Sequence, residues 1–436
     1  MMTQDQAFGI LARGENVFLT GEPGSGKTYT VNRFVRSLRG KNVAVAVTAS
    51  TGIAATHLGG RTIHSWSGIG THSTLTFADM RRIADNKRTA KRIRETRVLV
   101  IDEISMLSAD TFSTVEALCR KVRGGEEPFG GLQVVLVGDF FQLPPIISAD
   151  RRANSQQSLL GEERTRSPFA FSSPAWERLN PTVCYLSEQH RHEDPAFLEL
   201  LGALRRGALT EEHRALLRQR PTALARTGIT QLYTHNVDVD RINEHELAKL
   251  SGESRAYAME GRGPKDLVAQ LVRGCLSPES LMVKIGARVM CTKNDPTNRF
   301  VNGTIGAVVG FHKESGLPTV KTLGGRMFVA EPQEWKIDDG VSTVARISQV
   351  PLRLAWALTV HKSQGMSLDA AHMDLSRVFE YGQGYVALSR VRTLAGITLA
   401  GMNERALQIH PAVYAKDGEF RALSAATLQN SQGGVG

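Results

Sequence analysis

Cysteine is scarce. The chain has four in 436 residues, Cys119, Cys184, Cys275 and Cys291. No two form a CxxC pair, which excludes zinc ribbons and disulfide scaffolds and leaves buried thiols in a reducing compartment. No apolar run reaches the ~18 residues of a membrane span. The opening "MMTQDQAFGI" has no basic stretch followed by an apolar one, so no signal peptide is expected. His57, His64 and His72 fit no usual metal-ligand spacing and have no cysteine beside them, so no metal site is read there. Acidic charge is also short: 43 Asp and Glu face 53 Lys and Arg, a net +10. A basic surface attracts phosphate backbones at long range, which favours a polyanionic partner. The remaining composition, 41% hydrophobic and 22% charged, is that of a globular chain, and its length suggests about three domains.

Short apolar runs dominate the first third. "NVFLT", "NVAVAVT", "RVLVIDE" and "LQVVLVGD" read as buried strands. In "TYTVNRFVRSLRG", Val31, Phe34, Val35 and Leu38 recur at helical spacing, and "TFSTVEALCRKVRGG" reads as a helix with a glycine stop. Strands alternating with helices predict a parallel α/β sheet. Residues 148–168 are polar and irregular, a surface loop. "TVCYL" and "ITQLYT" open a second α/β run. From about 286, "GARVMCT", "GTIGAVVGF", "TVKTL" and "RMFVAE" predict a small all-β module, with Asn302-Gly303 at a hairpin turn. After about 345 the α/β pattern returns, so the module reads as an insertion in the second domain. The tail "SAATLQNSQGGVG" has a disordered composition.

"GEPGSGKT", Gly21 to Thr28, matches the phosphate loop G-x-x-x-x-G-K-[ST] between a strand and a helix. Gly21, Gly24 and Gly26 let backbone N–H groups wrap phosphate oxygens at a helix N-terminus. Lys27 reaches the β- and γ-phosphates and the Thr28 hydroxyl suits Mg²⁺. "VLVIDE" ends a strand in Asp102-Glu103, where ligands bind such sheets. Asp102 would hold the metal and Glu103 would take a proton from the attacking water. The guanine-reading Asn-Lys-x-Asp is missing, since "TKND" at Thr292 to Asp295 lacks the leading Asn.

"VGDFFQLPP" would set Gln142 beside the terminal phosphate, with Phe140 and Phe141 anchoring the loop and Pro144-Pro145 stiffening it. The second domain has no phosphate loop. Its use would be to offer arginines: Arg390 in "GYVALSRVRT", read as helical, and Arg191 in "LSEQHRH".

These stretches, with "TASTGIAA", "RTIHSW", "VLVIDEISML", "PFGGLQVVLVGDFFQLPP" and "ALTVHKSQGMSL", occur in an order that resembles superfamily 1 helicases of the PIF type, from about residue 4 to about 400. "EALCRKVRGGEEPFGGLQ" resembles a segment peculiar to that branch. The resemblance implies an α/β chain of two RecA-like parallel-sheet domains, with ATP and Mg²⁺ between them and a small β-barrel of the Src-homology-three type inserted in the second. The first would span 1–180, with a wedge at 67–87; the second 181–285 and 346–436; the barrel 286–345. It implies ATP-driven movement along single-stranded DNA, 5′ to 3′, with duplex unwound ahead. Gln4 would read adenine, with Gln6 a rival. Gln142, Arg191 and Arg390 match the γ-phosphate contact and two arginine fingers. The likeness is to a compact bacterial or viral form, cytoplasmic and nucleoid-associated, acting as a monomer.

A single strand needs donors for phosphates and flat faces for bases. By resemblance Thr62, His64, Ser65 and Trp66 of one loop, His235 and Asn236 after a second-domain strand, and His361, Lys362 and Ser363 line the DNA groove. Trp66 departs from the phenylalanine common in the family. Residues 80–97 hold eight basic and two acidic side chains, either a DNA-facing helix or a solvated face. Partners are single-stranded DNA and its junctions with duplex, with quadruplexes and RNA–DNA hybrids left open and no membrane. Two other readings remain: an ATPase that translocates without useful unwinding, and a DNA-binding protein with a relic nucleotide site.

Overall fold

The computed structural model describes residues 2–57, 60–70, 76–145, 167–188, 194–222, 229–297, 299–300, 302–338 and 343–432. Residues 1–191 and 410–436 form one compact unit, and 192–409 form a second.

The first unit is built on a six-stranded parallel sheet. Its strands are β1 (Val17–Gly21), β2 (Val45–Ala49), β3 (Arg61–Thr62), β4 (Val98–Asp102), β5 (Gln133–Val137) and β6 (Thr182–Leu186), in the order β3-β2-β4-β5-β1-β6. Helices α1 (Gln4–Ala12) and α2 (Lys27–Gly40) cover one face. The expected stripe on α2 does this work: Val31, Phe34 and Val35 are buried against Val17, Leu19 and Val135. Then follow α3 (Gly52–His57), α4 (Ile63–Ser67), α5 (Phe77–Asp85), α6 (Lys87–Glu95) and α7 (Ala109–Arg123). Gly124, left-handed at φ 69, ends α7 as expected.

Three expectations are corrected. "TVCYL" does not open the second domain. It is β6, paired in parallel with β1 over Val17 to Gly21. The tail is not irregular up to residue 432 either, since Pro411–Gln432 is one helix, and residues 433–436 lie outside the described residues. Phe420 sits in an aromatic cluster with Phe18, Phe140, Phe171 and Trp176, and Ser424 Oγ accepts the Tyr185 N–H at 3.0 Å. Those buried positions supply the packing that tail composition hides. The C-terminal residues thus belong to the first unit. Up to residue 166, the polar stretch read as a surface loop lies outside the described residues.

The second unit carries a four-stranded parallel sheet in the order β18-β7-β19-β20: β7 (Thr230–Tyr233), β18 (Ala357–Thr359), β19 (Ala371–Leu375) and β20 (Ile397–Met402). Between β7 and β18 lie small antiparallel sheets. One pairs β8 (Arg255–Ala258) with β10 (Ser280–Val283). A second joins β9 (Glu260–Arg262), β15 (Gln333–Asp338) and β16 (Thr343–Gln349). A five-stranded sheet holds β11 (Arg288–Cys291), β12 (Ile305–Phe311), β13 (Pro318–Thr322), β14 (Met327–Val329) and β17 (Leu352–Leu354). Antiparallel pairing therefore runs from Arg255 to Leu354, wider than the predicted 286–345. The all-β pattern is diluted at its start by the helix Lys265–Gly274. Asn302-Gly303 is not a two-residue hairpin turn. β11 and β12 pair antiparallel, but residues 292–304 join them, and Gly303 (φ 88) turns the chain into β12.

Truncating the ring that locks the C-terminal helix tests its place in the first unit. Phe420→Ala is expected to destabilise that unit by about 3–5 kcal/mol, read as a lower urea midpoint.

Candidate nucleotide and nucleic-acid sites

The carboxyl ends of β1, β4 and β5 are adjacent, and their loops carry the predicted chemistry. β1 runs into Gly21, and the loop ends at Gly26, the left-handed N-cap of α2 (φ 84). Gly24 is also left-handed, at φ 92. Glycine is favoured at 26 by its left-handed φ of 84, which side chains with a Cβ rarely adopt, and a Cβ there would also displace the end of the Gln4 side chain. Lys27 Nζ donates to the Gly21 and Glu22 carbonyls at 2.8 and 2.9 Å. The Ser25 hydroxyl is buried with no hydrogen-bond partner. A buried orphan donor, a backbone cradle that excludes side chains and an ammonium together fit a phosphate group. Thr28 is exposed on the first turn of α2.

Gln4 and Gln6 are now distinguishable. Gln6 is the N3 residue of a capping box: its side chain accepts the Thr3 N–H at 2.9 Å. Gln4 Nε2 donates to the Ser25 carbonyl at 3.4 Å and packs on Gly26. The residue against the loop is Gln4.

Asp102 closes β4. Burial pushes its carboxyl up to about 6, against the opposing pull of the Glu103 N–H, which donates to Oδ1 at 2.8 Å, and of the Lys27 charge. Oxygen donors of this kind, with the Thr28 hydroxyl, suit a hard divalent cation. Glu103 is left-handed (φ 50, ψ 45), uncommon for a side chain with a Cβ. Ser50 holds it there: its hydroxyl donates to the Glu103 carbonyl at 2.7 Å, and its N–H to the Asp102 carbonyl at 3.1 Å. Such strain is common at functional sites.

Gln142 has a partner that the sequence reading passed over. Its Nε2 donates to Asp139 Oδ2 at 3.4 Å, and its N–H to the Asp139 carbonyl at 3.0 Å. Asp139 is buried just past β5 and also accepts the Phe141 N–H at 3.2 Å. The signal was available, because "VGD" ends a strand in a carboxylate just as "VIDE" does. Phe140 anchors the loop as expected, with ring centroids 5.3 Å from Phe18 and 4.8 Å from Phe171. Phe141 packs on Tyr414 at 6.1 Å.

Arg191 lies outside the described residues. Arg390 is buried just after the helix Gln383–Leu388, not within it. Its Nε donates to the Val386 carbonyl and its Nη2 to Ser389 Oγ, both at 2.8 Å. The helix is braced by Arg205, which donates to the Tyr385 hydroxyl at 2.9 Å.

The predicted strand-binding residues divide. Thr62, His64 and Ser65 are half-buried at the helix α4, not in an open loop. Thr62 caps α4 by accepting the Ser65 N–H at 3.2 Å, and burial lowers the His64 pKa. Trp66 is a correction: at 2% exposed, its ring offers no face to a base. Arg92 of α6 donates to the Trp66 and Ser65 carbonyls at 2.7 and 3.1 Å, so this member of the basic stretch is structural. Ser363 is a second correction. It is buried, and its hydroxyl donates to the Val360 carbonyl at 2.8 Å. His361 and Lys362 beside it are half-buried, and burial lowers both pKa values. His235 and Asn236 follow β7. Asn236 is exposed, and the His235 ring lies 5.3 Å from Phe379, itself 56% exposed. Phe379 had no sequence signal, since it lies far along the chain. Among the described residues no cluster could hold a metal ion through His, Cys, Asp and Glu alone, and no helix is long and apolar enough to cross a membrane.

The pattern of the family described as "PIF1-like helicase" matches residues 5–215. The chain is 41% identical to the ATP-dependent DNA helicase Pif1 of Psychrobacter sp. (strain PRwf-1), over 97% of this chain and 71% of that one. It is 39% identical to the ATP-dependent DNA helicase PIF1 of Danio rerio, over 93% of this chain but only 61% of that protein, so it spans less than two thirds of that relative. The unliganded Pif1 of a Bacteroides sp. superposes with a TM-score of 0.82 at 29% identity, over 96% of both chains. The Bacteroides protein bound to single-stranded DNA superposes with a TM-score of 0.66 at 30% identity, again over 96% of both. The chain belongs to the PIF1-like helicase family.

Proposed function

We propose that this chain is an ATP-dependent DNA helicase. It moves 5′ to 3′ on single-stranded DNA and unwinds duplex or structured DNA ahead of it. The observation that carries the reading is the convergence of Lys27, Asp102, Glu103 and the Asp139–Gln142 pair at the carboxyl ends of β1, β4 and β5. A relic nucleotide site would have no reason to keep Glu103 in a strained conformation.

In this reading the phosphate loop from Gly21 to Gly26 wraps the triphosphate of ATP, and Gln4, seated against it, reads the adenine. Lys27 exchanges its two loop carbonyls for phosphate oxygens. Thr28 and Asp102 would hold Mg²⁺, which draws charge from the phosphates when bound. Glu103 takes the proton of the attacking water. Gln142 contacts the terminal phosphate and reverts to Asp139 once that group has left. Arg390 and Arg191 donate to the charge that develops on the phosphoryl group. Thr62, His64, Ser65, His235, Asn236, His361 and Lys362 grip the strand, and the antiparallel module is the barrel of Src-homology-three type. The substrates are single strands and their junctions with duplex, with quadruplexes and RNA–DNA hybrids as further candidates. The working form is a monomer in the cytoplasm, at the nucleoid.

A strand-displacement assay decides between unwinding and translocation alone. Duplex with a 5′ tail is expected to separate in the presence of ATP, while 3′-tailed duplex stays paired. ATP turnover without separation of either substrate would leave only a strand-tracking ATPase. Glu103→Gln is expected to lower ATP turnover by about 10²-fold or more while nucleotide affinity stays within about threefold, compared by steady-state kinetics and equilibrium binding. Gln142→Ala is expected to slow DNA-stimulated turnover and stepping together by about tenfold, measured by phosphate release and single-strand translocation.

A further inference from the structure

β11 begins with a charge in an otherwise apolar strand. Arg288 precedes Val289, Met290 and Cys291 and is 8% exposed. Its Nη2 reaches Thr230 Oγ1 at 3.4 Å, and its Nε has no hydrogen-bond partner. Among the described residues no carboxylate lies within ion-pairing distance of it. Burial lowers its pKa to about 10, which leaves the guanidinium charged at neutral pH. A buried cation without a counter-ion is costly, and such a group usually marks something it binds.

Arg288 lines a cavity of about 820 Å³ within the second unit. Three other arginines line it, and two of them pair with acids. Arg299 pairs with Asp295 at 2.8 Å and Glu331 at 3.4 Å. Arg392 lies 3.4 Å from Asp369, also in the lining. Arg326 donates to the Arg299 carbonyl at 3.1 Å beside that acidic pair. Of the four guanidinium groups, that of Arg288 is the most buried, and its Nε meets no acceptor. At the rim Leu323 is 69% exposed, an apolar surface beside a charged pocket.

We propose that this cavity binds a phosphate group carried on a nucleoside, with Arg288 as its buried anchor. A guanidinium fork matches phosphate oxygens in pairs, the volume suits one nucleotide, and Leu323 gives the base a surface to lie on. The phosphate belongs either to a free nucleotide or to a nucleotide within a DNA strand. The site shares no residue with the nucleotide and strand sites assigned above.

The test uses the full chain carrying Lys27→Ala, which silences the phosphate loop, with and without Arg288→Gln. Arg392→Ala, on the exposed rim, serves where Arg288→Gln disturbs the melt. The probes are thymidine 5′-monophosphate, oligothymidylate and succinate. For a free nucleotide, thymidine 5′-monophosphate binds and Arg288→Gln weakens it by about tenfold or more, with a smaller loss in Arg392→Ala. For a strand, the mononucleotide fails to bind, but the slope of log affinity for oligothymidylate against log salt falls by about 0.7 in Arg288→Gln, with a weaker fall in Arg392→Ala. Either result supports the site and identifies its source. Succinate binding that depends equally on Arg288 would overturn the phosphate assignment. Unchanged binding of both thymidylate probes in the folded variants would overturn the site.

Discussion

The chemistry of the first unit depends on where one ammonium group is held. Lys27 stands at the first position of α2 because Gly26 can take the left-handed turn before it, and the Gly21 and Glu22 carbonyls hold its Nζ over the loop. Its charge reaches Asp102 on β4 and works against the burial that raises that carboxyl. The sheet order makes this possible. β5 lies between β4 and β1, so three loops from distant parts of the chain open on one edge.

That edge carries a cost to folding. Asp102, raised to about 6, is ionised at neutral pH despite its burial. The folded value lies above the unfolded one. The penalty is therefore absent below the ordinary carboxylate range, grows as pH rises toward about 6, and stays constant above it. Glu103 adds backbone strain that Ser50 offsets through the Glu103 and Asp102 carbonyls. A surface turn would keep neither feature, and sites that break local rules in this way are usually functional ones.

The fold was readable where a local pattern carried it. Val31, Phe34 and Val35 marked the buried face of α2, and Gly124 marked the end of α7. Reading failed where distant residues decided the outcome. β6 reads as a strand from its own residues, but only its pairing with β1 assigns it to the first unit. The tail from Ser424 looks polar and loose until its helix is seen to begin at Pro411, with Phe420 packed among Phe18, Phe140 and Trp176 and Ser424 bonded to the Tyr185 N–H. In the site, Lys27, Asp102 and Glu103 were legible because a contiguous motif positions each. Trp66 and Ser363 were misjudged because residue type suggests an available donor or ring, whereas burial is a property of the packed unit. Asp139 carries its own signal in the sequence, a strand that ends in a carboxylate in "VGD", three residues before the more conspicuous Gln142.

The Asp139–Gln142 pair also explains how an amide could report on a phosphate. At 3.4 Å the side-chain contact is long for a hydrogen bond, so giving it up costs little. A phosphate oxygen would offer the same amide a shorter, charge-assisted bond. The state favoured by the loop would then depend on whether the terminal phosphate is present, and a ligand shifts an equilibrium only through such a differential contact. The rings of Phe140 and Phe141 decide where the change goes. Phe140 is fixed among Phe18, Phe169 and Phe171, and Phe141 on Tyr414, so the loop cannot absorb the motion by sliding at its start. In the proposed cycle, displacement of Gln142 would be passed to Leu143 and the two prolines, whose rings leave the backbone few ways to dissipate it.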